Sequence, residues 1–480
     1  MIGRLAFRSL TAHPVRSAVL SVGFGAGVAV MAILLGVAEV VLQQARSPQL
    51  VGGGDVVIQL GRDTPTSLLL SGTLQSDALR DRIRVASPTT QGADLYLSHG
   101  ALRARVDGEG GIPSLERMLG DPETSNVDTW LDTPADARWT TTSPAAALRQ
   151  VDRFHPIPDA PAWADSWAEW LYFNGRAESA RFYLTFLVGP ANGAGTRSAG
   201  VRLQLERNGE TETFGASATT ADASVATAPD LTIGKSSVTL DGLTYRIHLD
   251  LQGQNGQAVR GDLTLQATPG KLVPPIEILG ARGWRTGYVV PVMSGALAGT
   301  LQVSGARPAE LTLDGTGYHD HNWGFWKGVS WQWGQAQVHT GTPEALSVLY
   351  GRVFPPPDAA DPDRVPGFVG VLGPDGPLGY ATDVQISETN TTDGRPLTIE
   401  VTARGAALDA TIRFDVASIV TNHMASGPLN TGLDFLQLQG HYTVRGRAGS
   451  RVLDFTAPGA AETFRESRPA QETGAVSSTR

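Results

Sequence analysis

From about Asp152 onward, apolar and polar residues alternate over short runs. Val201, Leu203 and Leu205 are interleaved with Arg202, Gln204 and Glu206, and Asn208-Gly209 follows. Successive side chains of an extended chain point to opposite faces. This pattern therefore predicts a strand, and Asn-Gly predicts a hairpin with a type I′ turn. Val238 and Leu240 lead to Asp241-Gly242, after which Leu243, Tyr245, Ile247, Leu249 and Leu251 repeat the alternation and predict a second hairpin. The period of two continues at Leu263 and Leu265, Leu301 and Val303, Leu311 and Leu313, and Trp331 and Trp333. It resumes after Pro355-Pro356-Pro357, in residues 397–401, 410–416 and 441–445. Strands at this spacing without a sustained helical period predict a mainly β sandwich or barrel. Their number exceeds one small barrel. We therefore expect two tandem antiparallel β-barrels, 152–280 and 281–465, with a boundary near Lys271–Gly283 and a disordered polar tail over 466–480. A closed barrel of about eight strands can hold one small ligand.

The chain before Asp152 reads differently. Residues 47–151 predict a linker or small α/β subdomain. Its strands are expected at Asp55–Ile58, Leu95–Leu97 and Leu102–Val106, and its helices at Ile112–Leu119 and Ala145–Val151. Between Ser17 and Ala38 no residue is charged. A run of about 20 apolar residues can cross a bilayer as a helix. Arg4, Arg8 and Arg16 precede it, which predicts a cytoplasmic N-terminus and an extracytoplasmic bulk. Residues 1–46 are thus expected to be a basic stub and one transmembrane helix of the bacterial inner membrane. A cleaved signal peptide is the alternative, but the run is longer than an ordinary signal core and no clear small-x-small cleavage site follows. Gly23 and Gly27 form a G-x-x-x-G on which a second helix can pack.

Residues 4–10, 13–16, this apolar helix and residues 52–58 resemble the first helix and following strand of bacterial ABC-exporter permeases of the macrolide-exporter type. The chain departs from that family in lacking the three later helices. The resemblance implies an association with a permease and its ATPase.

Charge and composition narrow the chemistry. Gly 56, Pro 30 and aromatics at 7% suit a turn-rich β protein. A net charge of -9 argues against a nucleic-acid partner. The chain has no cysteine, which excludes disulfides, thiolate–zinc sites and a thiol nucleophile. There is no G-x-S-x-G elbow for a serine hydrolase.

The densest chemistry is Tyr318-His319-Asp320-His321-Asn322-Trp323-Gly324. On a strand, His319, His321 and Trp323 share one face, and Tyr318, Asp320 and Asn322 the other. His319-x-His321 also offers two metal donors, but a third would have to come from elsewhere, such as His339 or Glu344. No metal and no cofactor is expected. Asn390-Thr391-Thr392 is a formal glycosylation sequon of low specificity.

Glu169-Trp170-Leu171-Tyr172-Phe173-Asn174-Gly175, with His155-Pro156 upstream, is similar to the E-W-W-Y-F-x-G signature of the carotenoid 1,2-hydratase and AttH-like family. The 318–324 segment and Trp331-x-Trp333-Gly334 resemble that family's second signature. The resemblance spans roughly residues 150–465 and implies two lipocalin-like barrels. It implies that His321 and Trp323 are catalytic, with Asp320 as an acid or as an anchor for an imidazole. Adding water to a C=C bond needs such an acid, aromatic faces for the cation and a base for the water. Tyr318, His319, Asn322, Trp331, Trp333, Tyr350, Trp170 and Tyr172 are the expected ligand-binding residues. Glu169 is expected to be structural, paired with a buried polar group. Arg352 stands where the family pattern has an acid two residues after a tyrosine. That departure and the permease-like N-terminus favour a membrane-anchored binding protein for an elongated hydrophobic molecule, accessory to an ABC exporter. The alternative is a hydratase-like enzyme, or an isomerase or cyclase, acting on a polyene.

Overall fold

The computed structural model describes most of residues 83–466. Gaps fall chiefly at 120–128, 137–142, 360–366 and 425–432. The expected transmembrane helix with its G-x-x-x-G, the strand at 55–58, the tail beyond 466 and His339 all lie outside the described residues. Among the described residues, no helix is long and apolar enough to cross a membrane.

Two compact units divide the chain. Within the first, β1 (Thr90–His99) and β2 (Leu102–Gly110) form an antiparallel hairpin. A short helix, α1 (Pro113–Leu119), follows, with proline at its start. Both features stand where the sequence predicts them.

The second unit opens with α2 (Pro144–Val151), capped by the Ser143 hydroxyl, which accepts from the Ala146 N–H. Its first sheet comprises β3 (Trp167–Ala177), β4 (Arg181–Ala191), β5 (Thr196–Arg207), β6 (Glu210–Ala221), β7 (Leu231–Ile233), β8 (Ser236–Asp241), β9 (Thr244–Gly253), β10 (Ala258–Gln266), β11 (Val273–Leu279), β12 (Arg285–Ser304) and β13 (Ala309–Phe325). The ladder runs β10-β12-β13-β3-β4-β5-β6-β9, and β9 pairs again with β10, so eight strands close into a barrel. Asn208 (φ 53) and Gly209 (φ 78) make the predicted left-handed turn between β5 and β6. The second hairpin turns one residue later than Asp-Gly suggests, because Asp241 itself pairs with Thr244.

The second barrel contains β14 (Ser330–Val338), β15 (Leu346–Phe354), β16 (Gly367–Gly373), β17 (Gly376–Ala381), β18 (Asp383–Asn390), β19 (Pro396–Arg404), β20 (Leu408–Met424), β21 (Leu433–Ala448) and β22 (Arg451–Glu466). Its order is β17-β16-β15-β14-β22-β21-β20-β19-β18. β18 returns beside β16, so this barrel is nearly closed. The expected division near Lys271–Gly283 is therefore corrected. β12 and β13 belong to the first barrel, because β12 pairs with β10 and β13 pairs with β3. The connection between the barrels is the short segment 326–329.

Each barrel has an apolar interior. Leu171, Phe186, Leu203, Ile247 and Leu263 fill the first, and Val348, Ile399, Ile412, Phe414 and Val444 the second. A third cluster lies where the two barrels face each other. It is dominated by aromatic residues, among them Trp170, Trp326 and Trp333.

Candidate functional site

β13 carries the 318–324 segment and pairs with β3 in register, setting Asp320 opposite Tyr172, His321 opposite Leu171 and Trp323 opposite Glu169. Directly opposed residues share a face. The two signatures therefore interlock as two chemically distinct layers, one on each side of the same pair of strands.

The inward layer is a buried ionic network. His321 Nδ1 lies 3.0 Å from Asp152 Oδ1, and its Nε2 lies 2.9 Å from Glu169 Oε1. His319 reaches the Tyr172 carbonyl at 2.9 Å and Asp152 Oδ2 at 3.0 Å. The Tyr245 hydroxyl donates to the same Asp152 oxygen at 2.7 Å. Glu169 accepts from the backbone N–H of His155 at 2.9 Å and contacts its Nδ1 at 2.7 Å. Trp323 stacks on the His155 ring, with centroids 4.0 Å apart. Room for this indole exists because residue 287 is glycine. A Cβ there would lie 2.0–2.4 Å from indole atoms of Trp323.

Burial disfavours the charged forms of His321, Asp152 and Glu169, and their mutual pairing reverses the effect. For His321, burial pulls the pKa down, but the hydrogen bonds and charges of Asp152 and Glu169 hold it up at about 9. Asp152 and Glu169 are pushed up by burial, yet the neighbouring histidines bring both below the usual carboxylate range. Among the described residues, His155, Glu169 and His321 each offer a donor atom within 4.8 Å of one another and form a group able to hold a metal ion. Glu169 Oε1 already lies within hydrogen-bond distance of both imidazoles, at 2.7 and 2.9 Å, as proton sharing requires. Loading a metal here means displacing those protons.

The outward layer opens on a cavity of about 1100 Å³ between the barrels, larger than the ~300–1,000 Å³ of ordinary small-molecule sites. Asp320, Asn322, Trp170, Tyr172 and Tyr288 line it, joined from the second barrel by Trp331, Trp333, Phe368, Phe435, Glu462 and Phe464. A hydrogen-bonded chain runs along one wall. The Trp333 N–H donates to the Tyr288 hydroxyl at 2.9 Å, and Tyr288 and Tyr318 hydroxyls lie 2.6 Å apart. Tyr318 donates to Asp320 Oδ2 at 2.9 Å, and the Asn322 amide donates to Oδ1 at 2.8 Å. Among the described residues Asp320 makes no ion pair. Burial first, and then the negative charge of Glu462, raise its pKa well above the ordinary value, against the hydrogen bonds from Tyr318 and Asn322 and, smallest of the causes, the charge of His321. Burial likewise pushes Glu462 up to about 7, opposed by hydrogen bonding that includes the Trp331 indole. The Trp331 N–H reaches Glu462 at 3.4 Å. The Tyr172 hydroxyl is buried in the cavity wall; burial first, and then the charge of Glu462, push its pKa up.

The expected site residues thus divide. Asp320, Asn322, Trp170, Tyr172, Trp331 and Trp333 are brought together at the cavity. Tyr318 stands behind the wall and is linked to the cavity through Asp320 and Tyr288. His319, His321 and Trp323, by contrast, point into the first barrel and are 0–1% exposed. Tyr350 packs inside the second barrel against Tyr442, away from the cavity. Glu169 pairs with His155 and His321. Glu344 is not among the grouped donors.

Sequence reasoning passed over two residues. Asp152 follows a helix with no motif around it. Glu462 sits in Ala-Ala-Glu-Thr-Phe, where only its register opposite Trp333 and Gln437 reveals the cavity face.

No family model matches the chain, and no curated protein matches it. Among solved structures it is similar to a protein assigned as AttH from Nitrosomonas europaea, with 14% identity over 66% of this chain and 100% of that one, at a TM-score of 0.42. Kievitone hydratase from Nectria haematococca is similar at 14% identity over 65% and 94%, with a TM-score of 0.41. CghA, solved with Sch210972, is similar at 11% identity over 68% and 96%, with a TM-score of 0.40.

Proposed function

We propose that this chain transforms an elongated apolar substrate by acid catalysis at a C=C bond, adding water to it or isomerising it. One observation carries this reading: a carboxyl group, Asp320, is biased toward its protonated form at the end of a Tyr and Trp hydrogen-bond chain and faces an aromatic cavity. An uncharged carboxylic acid can donate a proton at neutral pH, as a solvated aspartate cannot.

The steps balance without a cofactor. The π pair of the alkene takes the Asp320 proton and forms a C–H bond, leaving a carbocation. The faces of Trp331, Trp333 and their aromatic neighbours stabilise that cation. A water oxygen then bonds to the cationic carbon while Glu462 takes a proton from the water. Alternatively, Glu462 removes a proton from the adjacent carbon and the double bond has moved. Proton return from Glu462 to Asp320 through solvent resets the site. His321 and Trp323 act through position in this scheme, holding β13 and β3 together behind the acid.

The test is to incubate the purified protein with a panel of acyclic isoprenoid and conjugated polyenes in D₂O and follow mass. The expected product gains one water, or keeps its formula and gains deuterium, and Asp320→Asn abolishes either change. If no polyene changes while several bind, the protein is a carrier. The same cavity supports that second reading, an apolar-ligand binding protein. Its tethering beside an exporter's permease and ATPase would depend on the segment before residue 83, and membrane fractionation of the full chain tests it.

A further inference from the structure

We propose that the ligand of this cavity carries an anionic head, a carboxylate or similarly acidic group on a long apolar chain, and that the Arg352 guanidinium receives that head. The inference deepens the function proposed above and rests on the same cavity. Its basis is the charge balance of the wall.

Five ionisable side chains with formal charge face the cavity: Arg202, Glu277, Asp320, Arg352 and Glu462. Glu277 is matched by Arg285 at 3.2 Å. Asp320 is held toward its neutral form by burial, and Glu462, raised to about 7, is mostly protonated at the pH of about 6.5 used in the test below; neither makes an ion pair with the arginines among the described residues. Arg202 is partly withdrawn into the wall and has interactions of its own within the chain. Arg352 differs. Its guanidinium carbon lies 4.9 Å from the centre of the Phe354 ring. Among the described residues it makes no ion pair and no hydrogen bond. Its partners in register are Gln332 and Gly367, neither charged. Gln332 is itself turned toward Glu388, donating at 2.7 Å.

A guanidinium stacked on one aromatic face, with its N–H fork unengaged beside a cavity, is matched by a planar anion. The apolar chain then runs along Trp331, Trp333, Phe368, Phe435 and Phe464, past the neutral acids. Those acids repel no part of such a chain, whereas a head group placed against them would meet Glu462 as its proton is lost.

The probes are cis-parinaric acid, a linear conjugated tetraene carboxylate that fluoresces on burial, and its methyl ester. Both are titrated into the full chain near pH 6.5. The acid is expected to bind roughly tenfold or more tighter than the ester, as a charge-assisted hydrogen-bonded pair supplies. Arg352→Gln should bring the acid to the affinity of the ester and leave the ester unchanged. Arg352→Lys should restore part of the gap, and added salt should narrow it. Trp331→Ala should weaken both probes, which locates them in the cavity. If acid and ester bind wild type equally, or the gap survives Arg352→Gln, the anionic head is wrong and the apolar cavity stands. If neither probe binds, the cavity reading and this one fall together.

Discussion

Raising the pH should destabilise the protein through the interior layer of the first barrel, and the size of the effect follows from His321. The imidazole is held at about 9 in the folded chain, against an ordinary value near 6.5. A raised folded value means that the stabilisation is complete below the unfolded pKa and is lost as pH rises through the folded one. Each unit of difference corresponds to about 1.4 kcal/mol, so this group contributes about 3 kcal/mol below pH 6.5 that is gone above pH 9. Glu462 also has a raised pKa, so its loss is centred near pH 7 and is nearly complete by about pH 8, and the buried tyrosines titrate above their usual value of 10. Asp320 also has a raised pKa, so the comparison is made in the Asp320→Asn variant, where His321 is the main group left to titrate between about pH 7 and 9. Urea unfolding of that full-length variant, followed by tryptophan fluorescence, should lose about 1.4 kcal/mol per pH unit across this window. Asp152→Asn removes one of the two carboxylates that hold the imidazolium. Its overall cost should be about 3–5 kcal/mol, as for breaking a buried pair, and the pH slope should flatten. A stability that is level between pH 7 and 9 in the Asp320→Asn variant would refute the reasoning. So would a slope that survives Asp152→Asn, since His321 would then not be the titrating group.

Other perturbations separate the two layers. Glu462→Gln keeps the shape of the wall and removes the base; water addition should fall by at least tenfold, with ligand affinity within about twofold of wild type. For wild type the rate should rise as pH passes about 7, where Glu462 becomes a carboxylate, and the acidic limb should vanish in that variant. Gly287→Ala drives a methyl group into Trp323 and should destabilise the protein by about 1–3 kcal/mol, read as a lower melting temperature. His321→Gln should lower stability far more than it changes the kinetics of whatever protein remains folded, because His321 does not line the cavity.

Much of this arrangement is legible in the sequence, for a reason that also marks where legibility ends. Period-two alternation depends only on backbone geometry, so the faces of residues 318–323 follow from spacing alone. His319, His321 and Trp323 do share one side, and Tyr318, Asp320 and Asn322 the other. Spacing does not say which face meets a cavity. That depends on a second barrel laid against the first, and its contribution comes from residues more than a hundred positions away, such as Phe435, Glu462 and Phe464. The same limit moved the barrel boundary. β12 and β13 look like the start of a new run of strands, yet ladders to β10 and β3 close the first barrel with them.

Histidines attract a catalytic interpretation because their chemistry is visible in isolation, whereas the reactivity of a carboxylate is a property of its surroundings. Asp320 and Asp152 are the same residue type at the same level of burial. Asp152 has two imidazoles and a phenol against its oxygens and is pushed below the carboxylate range. Asp320 has a phenol, an amide and a second carboxyl nearby and is pushed far above it. The histidines consume their chemistry in fixing one aspartate as an anion. Burial with no paired cation among the described residues is what leaves the other able to give up a proton.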